Sequence, residues 1–201
     1  MPGAITKNGS IEPYSLSDER ETVLMNIAVR RASEADAEVV SLLNADVQSL
    51  HASAVPERFK PPGPDTFPAT AARRLLANPS NLAFIAELDS EPAGYAYAEV
   101  VHLPESPLHH AWDEVHLHHI SVRPAYRRKG VASVLLDSVR AAADEIGISL
   151  VTLQVWSFNE DAQAFFRRQG FTPYMARLWN RQLNPHSNEH CPDIMPTAQE
   201  R

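Results

Sequence analysis

The period of apolar and polar positions changes several times along the chain, and each change marks an element. Residues 26–32 alternate, with Ile27 and Val29 on one face, as a strand does. Ser33 followed three residues later by Asp36 has the form of a capping box and opens a helix. Val39, Val40, Leu42, Leu43, Val47 and Leu50 supply that helix's apolar side. Pro56, Pro61, Pro62, Gly63, Pro64 and Pro68 then crowd one stretch, which excludes both helix and ladder and predicts a stiff connector. A short helix over 69–77 stops before Asn78-Pro79. Residues 82–88 and 93–101 read as a hairpin turned by Asp89-Ser90-Glu91-Pro92. A loop over 102–112 holds Pro104 and Pro107 and leads into a strand over 114–122. Alternation puts His116, His118, Ile120 and Val122 on one face of that strand and His119 on the other. The spacing predicts a helix over 131–146 with Val131, Val134, Leu135, Val139 and Ala142 inward and Gly147 at its end. An apolar strand over 149–156, a helix from Asn159 to Gln169-Gly170, and strands over 171–174 and 177–183 complete the pattern.

Alternating strands and helices of this kind imply one α/β domain over residues 25–183. Residues 1–24 and 184–201 carry no period and read as a flexible leader and a disordered tail. With 201 residues the chain can bury a substantial core. Its net charge of -7 argues against a general nucleic-acid binder and suits a cationic small molecule or peptide. The single cysteine, Cys191, excludes an intramolecular disulfide and a cysteine metal cluster. No signal-peptide pattern and no bilayer-length apolar run is evident, so the expected location is the cytoplasm, without a membrane partner. The sequence is compatible with a monomer or a homodimer.

The candidate chemistry lies where the strand over 114–122 gives way to the next helix. Arg127, Arg128 and Lys129 precede Gly130, Val131 and Ala132 just as the helix begins. Unpaired N–H groups at a helix start attract anions, and small residues let a phosphate reach the backbone. Arg127-x-x-Gly130-x-Ala132 resembles the [Q/R]-x-x-G-x-[G/A] motif of the GNAT N-acetyltransferase superfamily. A second block, Leu153-Gln154-Val155-Trp156-Ser157-Phe158-Asn159 followed by Ala162, Phe165-Phe166 and Gly170-Phe171, also resembles that family.

The resemblance implies a GNAT fold: a mixed, mostly antiparallel splayed sheet flanked by helices. It further implies acetyl-coenzyme A as co-substrate, with its pyrophosphate on residues Arg127 to Ala132. Backbone N–H groups of Ile120, Ser121 and Val122 would polarise the thioester, and Asn159 would contact the cofactor arm. Asn159 also reads as a helix N-cap. Trp156 and Phe158 could wall the cofactor channel or belong to the core, and the connector over 56–68 could line the acceptor pocket or be a plain surface link. Arg167 and Arg168 read as a solvated face, with the cofactor phosphates as the other option, and Phe165 reads as core.

The second block is closest to the bacterial ribosomal-protein N-terminal acetyltransferases. Those carry a base Glu and an acid Tyr where this chain has Gln154 and Phe166, neither of which transfers protons usefully. His116 stands fourteen residues before Gly130, the spacing of the base Glu in histone-acetylating relatives. A histidine of ordinary pKa ~6.5 is a competent base at neutral pH. His116 and His118 are therefore the candidate catalytic residues, with Glu99 and Glu114 behind them; a structural role, or a metal site shared with His109 and His110, are the competing readings. No metal is expected. A lysine-like amine of pKa ~10.4 costs roughly 4 kcal/mol to deprotonate at neutral pH, whereas an α-amine near ~7.8 costs under about 1 kcal/mol. Loss of the usual pair thus tilts the acceptor toward a peptide α-amine or another weakly basic small-molecule amine, attacked directly with no acyl-enzyme. A non-catalytic acyl-coenzyme A-binding module is the alternative.

Overall fold

The computed structural model describes residues 26–179. One compact unit ends at Asn159 and a second begins at Glu160.

In the first unit, β1 (Ile27–Arg31), β2 (Asn81–Leu88), β3 (Glu91–Leu103), β4 (Trp112–Val122) and β5 (Val151–Leu153) form one sheet in sequence order. The first three pairings are antiparallel and β4–β5 is parallel. A parallel neighbour needs a crossover, and α3 (Val131–Glu145) supplies it. Six successive positions of β2 are buried, so both sheet faces are covered. On one face α1 (Ala37–Ala54) and α2 (Ala69–Ala77) pack around Ile85 and Tyr95, with Ala37, Val40, Leu43 and Ala72. On the other, α3 lies across β1 to β4 and buries Val131, Leu135, Leu136, Val139, Ala142 and Ala143.

The capping box forms as read: the Ser33 N–H donates to Asp36 Oδ2 at 2.8 Å. Arg30 closes the same carboxylate from β1 at 2.8 Å and holds the Asp36 carboxyl down at about 2. The inward face of α1 is narrower than its apolar pattern suggested. Leu42 is 75% exposed and Leu50 is exposed too, while Ala37 and the polar Asn44 are buried. Small and polar residues serve here because α1 lies close over β3 and β4, where Ser121 Oγ donates to the Leu43 carbonyl.

The hairpin turn is only Asp89-Ser90, both at positive φ; Glu91 and Pro92 belong to β3. Pro92 sits beside a register shift, where a missing N–H is tolerated. β3 and β4 each run further than expected, so the loop between them shrinks to 104–111. β5 is only three residues long. In the second unit, α4 (Glu160–Arg168) is followed by irregular chain, with no strand among residues 171–179. There Phe166, rather than Phe165, is the more buried ring, packed on Phe165 and Phe171. Residues 180–183, the leader over 1–24 and the tail over 184–201 lie outside the described residues.

Candidate active site

The site begins with an irregularity in β4. Tyr97 pairs with His119 and Ala98 with Leu117, so His118 is an extra residue in the ladder. A bulge of this kind interrupts the two-residue alternation of side chains. Glu99 pairs with His116 and Tyr97 with His119, so His116 and His119 share one face, while Ile120 pairs with Ala96 on the other. This corrects the face assignment read from alternation: His116 and His118 join His119, and Ile120 and Val122 point the opposite way.

The three imidazoles are held differently. His116 Nδ1 lies 2.7 Å from Thr152 Oγ1 on β5, with Glu114 at 3.8 Å. Burial, helped by the charge of His118, pushes His116 below its ordinary value. His118 Nε2 lies 3.0 Å from Glu99 Oε2, and its ring stacks on Tyr97 at 4.9 Å. His116 and His118 meet edge to face at 4.8 Å. His119 is the most enclosed, with Nδ1 2.9 Å from the hydroxyl of buried Tyr95, and burial lowers it to about 4.

Beside this group stands a set of aromatic rings. His51, near the end of α1, stacks on Phe59 at 4.9 Å. Trp156 meets Phe59 at 5.4 Å and stacks on Phe158 at 5.9 Å. The Arg58 guanidinium lies 5.3 Å over Trp156. His51 is close enough to His119 for their charges to repel. Phe59 belongs to the proline-rich connector, which also borders a depression of about 410 Å³ lined by Ser49, Ala52, Ser53 and Pro56.

On the other side of the strand ends, β4 and β5 pair only from Val115 to Leu117, so the two strands part beyond that point. The Arg123 N–H donates to the Ala93 carbonyl on β3. Alternation along β4 then turns the Ile120 and Val122 N–H groups toward the parted side and the Ser121 N–H toward β3. After a 3₁₀ turn at Pro124–Tyr126, Arg128 and Gly130 take positive φ, at 62° and 88°. Gly130 is the N-cap of α3, and a Cβ there would meet only the Ile27 methyl at 3.8 Å. The Gly130 carbonyl already accepts from Ser133, which leaves the N–H groups at Gly130, Val131 and Ala132 at the open helix end. Arg127 Nε donates to the Val122 carbonyl at 3.0 Å, while Arg123 and Lys129 flank the Tyr126 ring. Alternating backbone hands, a helix N-terminus and exposed cations form a nest suited to a pyrophosphate.

A family profile described as "Acetyltransferase (GNAT) family" matches residues 44–171. The chain belongs to the GNAT acetyltransferase family. Among solved structures, this GNAT chain is similar to the BH1408 protein of Bacillus halodurans, in a tetramutant form, with 17% identity over 77% of this chain and 99% of that one, at TM-score 0.73. It is similar to the aminoglycoside N-acetyltransferase AAC(6')-Iy bound to a bisubstrate analogue containing CoA, with 20% identity over 78% and 98% of the two chains, at TM-score 0.62. It is also similar to a GCN5-related N-acetyltransferase of Ralstonia eutropha, with 19% identity over 78% and 99%, at TM-score 0.58. At these identities the likeness speaks for the fold, and the five-stranded, mostly antiparallel sheet matches it. Crystallised neighbours hold CoA, consistent with acetyl-coenzyme A as co-substrate of this GNAT protein.

The sequence-derived candidates thus fall into two groups. Residues 120–122 and 127–132 lie at the strand ends and the start of α3, and His116 and His118 at the bulge. Asn159 follows β5, its N–H donating to the Trp156 carbonyl. His109 turns back on Ser106, and the described residues contain no group of three His, Cys, Asp or Glu able to hold a metal ion. Asn44, His51, Phe59, Tyr95, Tyr97 and Thr152 went unread in the sequence. A polar Asn44 on an otherwise buried helix face and the Tyr95-x-Tyr97 alternation were signals available for two of these elements. The bulge has no sequence mark. None of the described helices is long and apolar enough to cross a membrane.

Proposed function

We propose that the protein transfers an acetyl group from acetyl-coenzyme A to the primary amine of a small molecule bearing an aromatic group. The aromatic set of His51, Phe59, Trp156 and Phe158 beside the β4 histidines carries this reading. A site with rings at one end and Glu99, Glu114 and imidazoles at the other has the polarity of an aryl-alkyl ammonium ion. Arg58 over Trp156 reinforces that direction by repelling an ammonium from the ring end.

Acetyl-coenzyme A supplies the acetyl group as a thioester. The nest at residues 127–132 is assigned to its pyrophosphate, the Ile120 and Val122 N–H groups to the thioester oxygen, and Asn159 to the cofactor arm. His116 and His118 are assigned to the proton that the ammonium must lose before its nitrogen can attack. His116, lowered by burial, is neutral at pH 7 and therefore able to accept a proton. A base below 6.5 does not lower the cost of deprotonating a strongly basic amine, roughly 4 kcal/mol at neutral pH, so turnover of such an amine rests on holding its nitrogen against the thioester.

The test is turnover with acetyl-coenzyme A across 2-phenylethylamine, spermidine, kanamycin, a peptide with a free N-terminus, and a peptide whose only amine is a lysine side chain. The proposal expects 2-phenylethylamine to give the highest kcat/KM. Kanamycin in first place would transfer the aminoglycoside chemistry of the structural neighbours to this chain instead. No turnover with any amine, together with retained acetyl-coenzyme A binding, would favour a non-catalytic binding module.

A further inference from the structure

Asn44, Tyr95 and His119 form a hydrogen-bonded chain from α1 through β3 to the bulge of β4. The Asn44 Nδ2 group donates to the Tyr95 hydroxyl at 2.8 Å, and that hydroxyl lies 2.9 Å from His119 Nδ1. Asn44 is 5% exposed and Tyr95 fully buried, so the hydroxyl proton needs a partner inside the protein. Asn44 already donates to the oxygen, which leaves His119 Nδ1 as the acceptor. The imidazole proton of His119 then resides on Nε2. Building on the acetyltransferase reading above, we propose that Asn44 and Tyr95 are positioning residues that hold His119 as the neutral Nε2–H tautomer. This arrangement pins the bulge that carries His118 and keeps His119 out of proton exchange.

The surroundings explain why this matters. His119 faces Tyr95 and Tyr97 on β3, His118 beside it, and His51 from α1. Glu99, Glu114 and His116 are the other titratable groups of that face among the described residues. A positive charge on His119 would repel both an incoming ammonium and a proton arriving at His118. Burial holds His119 at about 4, and a hydroxyl donating into Nδ1 favours the same neutral form. At a bulge two successive side chains take up space that one residue occupies on the partner strand, so a fixed His119 ring also limits where His118 can sit against Glu99.

Two readouts test the proposal on the full chain. Long-range ¹H–¹⁵N spectra of the histidines distinguish the two neutral tautomers and the cation without requiring activity. Wild-type His119 should show the Nε2–H tautomer and stay neutral down to pH 5. In Tyr95→Phe it should become a mixture of the two neutral tautomers, because burial still keeps it below the ordinary histidine range. With 2-phenylethylamine as the probe amine, kcat should fall about tenfold with KM little changed. A merely structural role would lower thermal stability and leave the tautomer and kcat in place. If Tyr95→Phe does not fold, His119→Asn keeps an amide acceptor for the Tyr95 hydroxyl and removes the titrating ring. It should retain the wild-type acid limb, because His119 does not titrate there. An Nδ1–H tautomer in the wild type, an unchanged His119 spectrum in Tyr95→Phe, or a shifted acid limb in His119→Asn would overturn the proposal. Absence of turnover in the wild type with any of the five amines named above would refute the acetyltransferase reading while leaving the tautomer result to stand or fall separately.

Discussion

Single residues set the two ends of this site by different physics. Gly130 stands at φ 88°, a region that costs side-chain-bearing residues about 1–2 kcal/mol, and it caps the helix where a pyrophosphate would rest. Gly130→Asp adds that strain and a negative charge, so acetyl-coenzyme A affinity measured by calorimetry should fall at least about tenfold, with the fold retained. At the other end, a histidine assigned as proton acceptor must be neutral. His116 is depressed below 6.5, so its base form prevails above that lowered value and is lost as pH falls through it. Activity should therefore be flat through neutral pH and decline only on the acid side of 6.5, read from kcat/KM against pH. A decline beginning above pH 7 would contradict this assignment.

At the scale of elements, the sheet depends on close approach. A Cβ on Gly94 would lie 2.5 Å from the Ser121 carbonyl oxygen, which is backbone and cannot move aside cheaply. Gly94→Ala should cost about 1–3 kcal/mol in denaturant unfolding and weaken acetyl-coenzyme A binding, since Ser121 lies beside the N–H groups assigned to the thioester. The elements themselves were largely legible from period and punctuation: β1, α2 and α3 lie within a residue or two of the expected bounds. The stretch assigned to the pyrophosphate stands out in the sequence because its glycine and cations are contiguous. The face assigned to the acceptor does not, because a single extra residue at His118 reverses the sense of every side chain N-terminal to it. Alternation alone put His116 with Ile120, whereas the ladder puts it with His119. Leu42 misled for a related reason: an apolar residue on a helix is not bound to face the core, and a polar one such as Asn44 can be buried when a tyrosine hydroxyl receives it.

For the molecule as a whole, residues far apart in the chain meet at one face of the sheet. His51 comes from α1, Phe59 from the proline-rich connector, Tyr97 and Glu99 from β3, the histidines from β4, and Trp156 and Phe158 from the segment after β5. Such a meeting is set by topology and register, which is why no motif announced it. The net charge of -7 adds a long-range pull on a cationic acceptor, so kcat/KM for a protonated amine should fall as salt rises from 0.05 to 0.5 M, by roughly a few-fold. The central claim is that the aromatic rings serve the acceptor and not the cofactor. Steady-state kinetics of Phe59→Ala and Trp156→Ala test it most directly. The account predicts that KM for 2-phenylethylamine rises about 10- to 100-fold while KM for acetyl-coenzyme A stays within twofold. The reverse pattern, a raised KM for acetyl-coenzyme A with the amine unaffected, would contradict it and make these rings the wall of the cofactor channel.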